Sequence, residues 1–170
     1  MNFSKLVKSR YSCRKMSDKP VEQEKLNQIL EAAIAAPTAK NLQPYKIWLI
    51  KSDDAMEKVK QATNFTFGAK MVIIIGGNPN EAFTRPIGNK NFAVIDATIV
   101  ATHLLLAVEA VGLATTWVGM VDEPKLKELF PEMKDFDIVA LFPIGYAAED
   151  AKPSPRHNDR HSQNEMVKVL

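Results

Sequence analysis

Arg10, Ser12 and Arg14 alternate within SRYSCRKM (Ser9–Met16). In extended or irregular backbone, side chains at i, i+2 and i+4 point to one side. Two guanidinium forks and a hydroxyl facing one way make an anion cradle, because planar forks match phosphate oxygens. A solvated basic loop fits the same spacing. A second polar group follows in APTAKNLQPYKIWLI (Ala36–Ile50), where Thr38, Asn41 and Gln43 fall between a helix end and a strand. Amide side chains offer donors and acceptors together, which suits the edge of a heteroaromatic ring. They equally suit bonds to the backbone of their own turn.

Other candidates carry less. Cys13 is the single cysteine; no neighbouring feature marks it as a nucleophile, and a space-filling thiol is expected. His157 and His161 are four apart, but with no third ligand nearby a solvated pair is expected rather than a metal site. His103 and Asp96 share roughly one helical face and are read as buried hydrogen-bonding partners, not a catalytic dyad. No Ser-His-Asp or Cys-His arrangement is present, and GGNPN (Gly76–Asn80) lacks the glycine spacing of a dinucleotide fold.

The elements that must position these residues are legible in outline. A chain of 170 residues reads as one domain, and 46% hydrophobic with 25% charged residues is ordinary for a globular protein. A formal net charge of +2 argues against a broad nucleic-acid surface and makes the basic residues local features. A single cysteine excludes an intrachain disulfide and fits a reducing compartment. Met1–Arg10 has charge but no apolar core of a signal peptide, so a cytoplasmic protein is expected. The most apolar run, Asn91–Gly112, is long enough to span a membrane, yet Asp96, His103 and Glu109 interrupt it. It is read as a buried central helix ending at Gly112. Being apolar nearly all round, it needs cover on every side, part of it from a second subunit.

A helical stripe of Leu26, Ile29, Leu30, Ala33 and Ile34 begins near Pro20, with Asp18 as a possible cap. Strands are expected at Lys46–Lys51, Met71–Gly76, Thr115–Gly119 and Asp137–Tyr146, and short helices at Asp54–Ala62 and within DEPKLKELF (Asp122–Phe130). The polar tail, Ala147–Leu170, has little core of its own.

Taken in order, R-Y-S-x-R and A-P-T-A-x-N-x-Q-P-Y resemble the two N-terminal motifs of the FMN-dependent nitroreductase family. The likeness continues through NEAFTRPIGNKNFAVIDATIVATHLLLAVEAVGLATTWVGMVDEPKLKELF and ALFPIGYAAEDAKPSPRHNDR, and so covers nearly the whole chain. It implies an α+β fold: a central mixed, mainly antiparallel sheet sandwiched between helices in an intertwined dimer. Residues 1–170 would be a single FMN-binding domain whose C-terminal extension wraps the partner subunit.

By the same resemblance, Arg10, Ser12 and Arg14 hold the FMN phosphate, joined by a tail arginine for which Arg156 and Arg160 are the candidates, and Tyr11 is a further cofactor-binding residue. Pro37, Thr38, Ala39, Asn41 and Gln43 meet the isoalloxazine and ribityl chain. The backbone at Val118 and Gly119 faces flavin N5, where a main-chain N–H stabilises an electron-rich ring without titrating. The implied activity is ping-pong electron transfer from NADH or NADPH to a nitroaromatic, quinone or similar small-molecule acceptor. The cofactor carries the chemistry, so no catalytic side chain, metal, nucleic acid or membrane is called for. Flavin reduction, ene-reduction, dehalogenation and non-enzymatic FMN binding remain alternatives on the same fold.

The chain departs from the family pattern at Tyr11 (usually arginine), Tyr45 (usually tryptophan) and Ala147 (usually proline). It is also short, which leaves the flavin thinly roofed; Tyr45 and Phe83–Asn91 are expected to tune access.

Overall fold

The computed structural model describes residues 2–170. Its centre is a three-stranded antiparallel sheet in the order β1 (Tyr45–Ile50), β2 (Met71–Gly77), β5 (Asp137–Ile144). Tyr45 lies opposite Gly77, and Met71 lies opposite Ile144. β2 is apolar at every position up to Gly76 because both of its faces are covered. Ile73 and Ile75 face one core with α2 (Gln23–Ile34) and α4 (Ala93–Ala110). Val72 and Ile74 face the other, with α3 (Asp53–Ala62), α5 (Glu123–Leu129), Phe130 and Met133. Period-two alternation within a run of isoleucines thus serves two cores.

α4 lies against the sheet through Ala93, Ala97, Val100, Ala101, Leu104 and Val108, all buried together with Asp96. Its length and composition would suit a membrane span, but this inner face is the protein core. The helix closes with a Schellman motif: Leu113 N–H returns to Val108 C=O (3.0 Å), Gly112 N–H returns to Glu109 C=O (3.0 Å), and Gly112 has φ +74°. The expected stop at Gly112 is therefore its αL residue. At the other end, β2 and α4 approach so closely that a Cβ on Gly77 would lie 2.3 Å from Ala93 O. Only glycine fits there.

Four features differ from the sequence expectation. α2 begins at Gln23, not near Pro20, because Glu22 is extended (φ −68°, ψ 137°) and serves as its N-cap residue. Asp18 caps nothing and pairs with Lys70 at 3.0 Å. Thr115–Gly119 is not a strand: only Ala114 and Val118 bridge β5, at Gly145 and Leu141. Between them Thr115 C=O turns away to accept Cys13 N–H at 3.0 Å, which interrupts the ladder. Finally, a two-residue hairpin, β3 (Thr84–Arg85) and β4 (Lys90–Asn91), precedes α4.

The N-terminal helix α1 (Phe3–Ser9) is capped by the Asn2 side chain, which accepts Lys5 N–H at 2.9 Å. The tail holds a 3₁₀ turn at Pro155–Asn158 and a short helix α6 (Gln163–Met166) with a Ser162/Glu165 capping box. Met166, Val167, Val169 and Leu170 are all exposed.

Candidate functional site

The residues after α1 run along the end of β5. Met16 N–H bonds Phe67 C=O (2.9 Å), Ser17 N–H bonds Tyr146 C=O (2.8 Å), and Ala148 N–H bonds Lys15 C=O (3.0 Å). Cys13 and Met16 point into a small core with Ala69 and Ala114, with Tyr11 packed beside them. Cys13 is fully buried and its thiol donates to Lys15 C=O at 3.3 Å. With Tyr11 and Cys13 turned in, Arg10, Ser12 and Arg14 turn out together.

They meet the tail. Arg10, Ser12, Arg14, Ser154, Arg156, His157 and Arg160 line one cleft of about 270 Å³, so both candidate tail arginines reach it. Four of the chain's five arginines thus converge from its two ends. No carboxylate is among the lining residues. Among the described residues every ion pair uses lysine or histidine, and none uses these arginines. Arg14 Nη1 and Arg160 Nη1 donate only to nearby main-chain oxygens, of Ser12 (3.3 Å) and Asp159 (2.7 Å). Unpaired, converging guanidiniums with serine hydroxyls are a donor set for a polyoxygen anion. Tyr11 lies edge-on to His157 at 6.5 Å. Tyr11 itself does not line the cleft; burial, then its hydrogen bond with Cys13, pushes its phenol above the ordinary value.

Arg14 also borders a second cleft of about 160 Å³, lined by Phe65, Phe67, Thr116, Trp117, Val118, Gly119 and Met120. Val118 exchanges both of its main-chain bonds with Leu141, at 3.0 Å each. Gly119 N–H has no partner among the described residues, and a Cβ built on Gly119 would meet nothing within 4 Å. Gly119 thus brings an unpaired main-chain donor and no side chain to the lining of the cleft that shares Arg14 with the arginine cleft. Sequence reasoning did not anticipate Phe65, Phe67, Trp117, Met120 or Ser154 here. The alternating Phe65-x-Phe67 and the Ser154-Pro155 pair are the only local signals that pointed to them.

Thr38–Gln43 lies elsewhere. β1 is one edge of the sheet, whereas Val118 bridges the outer side of β5. Three inter-strand spacings, about 14 Å, therefore separate β1, into which this turn leads, from Val118 within one chain. The turn is sharply wound, with φ +54° at Lys40, +55° at Asn41 and +53° at Gln43. Non-glycine residues in this region each cost roughly 1–3 kcal/mol unless the surroundings hold them. Thr38 Oγ1 accepts Gln43 N–H (3.0 Å), and Asp96 Oδ1 accepts Ala39 N–H (3.0 Å). Gln43 Nε2 donates to Asn41 C=O (3.2 Å). Pro37 and Asn41 are exposed at the surface of the turn. Lys40 Nζ stands 4.5 Å above the Phe83 ring, which brings the β3–β4 hairpin beside this turn. Tyr45 is half-buried, and burial pushes its phenol above the ordinary value.

The histidines separate as well. His103 Nδ1 lies 3.2 Å from Ala32 C=O, while Asp96 is occupied by Ala39, so the two are not each other's partners. They diverge because Asp96 turns toward the loop before β1 and His103 toward α2. His161 lies 3.8 Å from Glu165, away from the ring contact of His157.

Comparison with known proteins finds similarity of sequence and fold over nearly the whole chain. The crystal structure of a nitroreductase family protein from Clostridium difficile matches with TM-score 0.91 and 32% identity, covering 99% of this chain and 98% of that one. An NADH dehydrogenase of Thermus thermophilus is 27% identical over 182 residues, covering 86% of this chain and 87% of its own. A protein from Exiguobacterium sibiricum, solved in complex with FMN, shares the fold at TM-score 0.85 and 22% identity over 100% of this chain and 98% of that one. The model of the Nitroreductase family matches residues 7–64 and 62–146. The ordered motifs, the helix-covered antiparallel sheet and the family match together establish that this chain belongs to the Nitroreductase family.

Proposed function

We propose that the protein is a homodimeric, FMN-dependent oxidoreductase that passes electrons from NADH or NADPH to nitroaromatic, quinone or similar electron-poor acceptors. The observation that carries this reading is the arginine cleft. Four guanidiniums without carboxylate partners adjoin a cleft where Gly119 N–H is unpaired. The donors fit a phosphomonoester, and the aromatic-rimmed neighbouring cleft fits the edge of a flat ring. FMN, when bound, supplies a two-electron carrier that accepts hydride from a nicotinamide and passes electrons onward.

The chain's own residues bind and orient. Arg10, Arg14, Arg156 and Arg160 neutralise the phosphate, with Ser12 and Ser154 adding neutral donors. Gly119 N–H is the main-chain donor at the ring edge in place of Val118, whose N–H is already bonded to Leu141. Thr38, Asn41 and Gln43 stand too far away to complete the same site within one chain. In this reading the partner protomer brings its own Thr38–Gln43 turn to the cradle, and each dimer has two such sites. The exposed apolar tail residues (Met166, Val167, Val169 and Leu170) and Val94 on the outer side of α4 support a paired surface.

The purified protein should be yellow and release FMN, not FAD, on denaturation, and it should oxidise a reduced nicotinamide when an acceptor is added. Colourless protein that takes up no FMN on reconstitution would contradict the reading. Bound FMN with negligible nicotinamide oxidation would make the chain a binding module instead.

A further inference from the structure

Asp96 stands in the first turn of α4 and is 1% exposed. One carboxylate oxygen accepts Ala39 N–H at 3.0 Å; the other, Oδ2, is buried with no hydrogen-bond partner. A buried carboxylate oxygen without a donor is a burden on stability, although the helix N-terminus offsets part of it. An apolar side chain of the same shape would serve packing at least as well. What the carboxylate does hold is the start of the turn with left-handed Lys40, Asn41 and Gln43. The opposite end of that turn is closed by its own Thr38 hydroxyl on Gln43 N–H. The Asp96–Ala39 bond is thus a core side chain's grip on a wound surface loop.

We propose that Asp96 is a positioning residue, fixing the Thr38–Gln43 turn in the shape in which it contacts the flavin ring. The proposal rests on the flavin function above. It assigns Asp96 to the ring side of the site and not to the phosphate side, so its loss should not discriminate between flavins with and without phosphate. The carboxylate acts through Ala39 and does not itself touch the cofactor.

The test uses Asp96→Leu, which keeps the shape without the acceptor, and Asp96→Asn, which keeps an acceptor for Ala39. Dissociation constants for FMN and riboflavin, amide hydrogen exchange at Ala39 and Tm are measured, with Arg14→Ala as the phosphate-side control. Asp96→Leu should weaken FMN and riboflavin by a similar factor, on the order of tenfold. It should also speed exchange at Ala39 while leaving Tm close to that of the parent. Asp96→Asn should restore both flavins and the slow exchange, and Arg14→Ala should weaken FMN alone. Parent-like binding of both flavins by folded Asp96→Leu would overturn the proposal. So would a fall in Tm that Asp96→Asn leaves uncorrected.

Should Asp96→Leu fail to fold, Ala39→Pro removes the donor instead. Thr38 is already extended (φ −132°, ψ 160°) and Ala39 opens the turn, so proline is compatible with the backbone there. The same joint loss of both flavins is expected, and unchanged binding overturns the role. If the parent binds neither flavin, the functional reading fails and the role with it. That failure is distinguishable, because Ala39 exchange would still respond to Asp96→Leu.

Discussion

Cys13 N–H donates to Thr115 C=O at 3.0 Å, tying the start of the chain to the segment that bridges β5. Arg14, the next residue, lines both the arginine cleft and the aromatic-rimmed cleft, the latter together with Gly119.

Arg14 borders both clefts, so its removal should be felt at the phosphate. Losing one charged donor costs about 2–3 kcal/mol, which is roughly 30- to 150-fold in FMN affinity. Riboflavin, without the phosphate, should lose little. Fluorescence titration of Arg14→Ala with both flavins checks this; equal losses would remove Arg14 from the cradle.

The tail beyond Tyr146 supplies Ser154, Arg156, His157 and Arg160 to the cleft and carries exposed apolar residues. Cutting the chain after Tyr146 should therefore abolish FMN binding and dimerisation together. Size-exclusion chromatography with light scattering, read beside visible absorbance, is the measurement. A truncated, yellow, folded monomer would contradict the expectation.

The two N-terminal motifs were legible in the sequence as residue types but not as neighbours. Alternation alone placed Arg10, Ser12 and Arg14 on one side of the chain, and the structure turns Cys13 to the other. The apolar run Met71–Gly76 marked β2 within a residue, because a strand covered on both faces needs apolar residues throughout, and β-branched and aromatic runs marked β1 and β5 within about a residue or two. Thr115–Gly119 has the same β-branched and aromatic composition, yet only Ala114 and Val118 pair with β5. Composition does not report that Thr115 C=O is claimed by Cys13. Nor could periodicity show that Asp96 grips Ala39, 57 residues earlier, and not His103 on its own helix. Side-chain bonds to distant main chain leave no local pattern.

Acidity should loosen the join between α2 and the end of β5. The Tyr146 hydroxyl donates to Glu22 Oε2 at 2.7 Å and accepts from Lys25 Nζ at 2.7 Å. The Tyr146 hydrogen bond chiefly holds the Glu22 carboxyl below its ordinary 4.5. The Asp150 and Glu165 carboxyls are likewise lowered, by Lys15 and by Ser162. A carboxylate with a lowered folded-state value stabilises fully above its ordinary value and loses that contribution as pH falls through the folded one. Tm should thus decline as pH drops below about 4, and Glu22→Gln should make the decline shallower. An identical acid limb in the variant would show that Glu22 does not contribute.

Acceptor choice should follow redox potential more than size. Phe65, Trp117 and Met120 rim the second cleft at 40%, 36% and 72% exposure, which leaves it open at the side. Open apolar walls discriminate by only about 1–3 kcal/mol per methylene-sized difference. Anaerobic reoxidation of pre-reduced protein by quinones and nitroarenes of graded size and potential is the check. One acceptor faster by several orders of magnitude than others of equal potential would reveal a dedicated pocket.

The most direct test of a flavin site shared between protomers is complementation. A variant with Arg10→Glu and Arg14→Glu loses the cradle; a variant with Thr38→Lys and Asn41→Lys loses the turn. Each alone should bind no FMN and oxidise no NADPH or NADH. Mixed and allowed to exchange subunits, half the dimers become hybrids, each with one intact cradle facing one intact turn. FMN binding and nicotinamide oxidation should then return to about a quarter of the parent level per protomer. Mixtures that exchange subunits, as read by mass spectrometry, yet recover neither would contradict the shared site and place cradle and turn in separate functions.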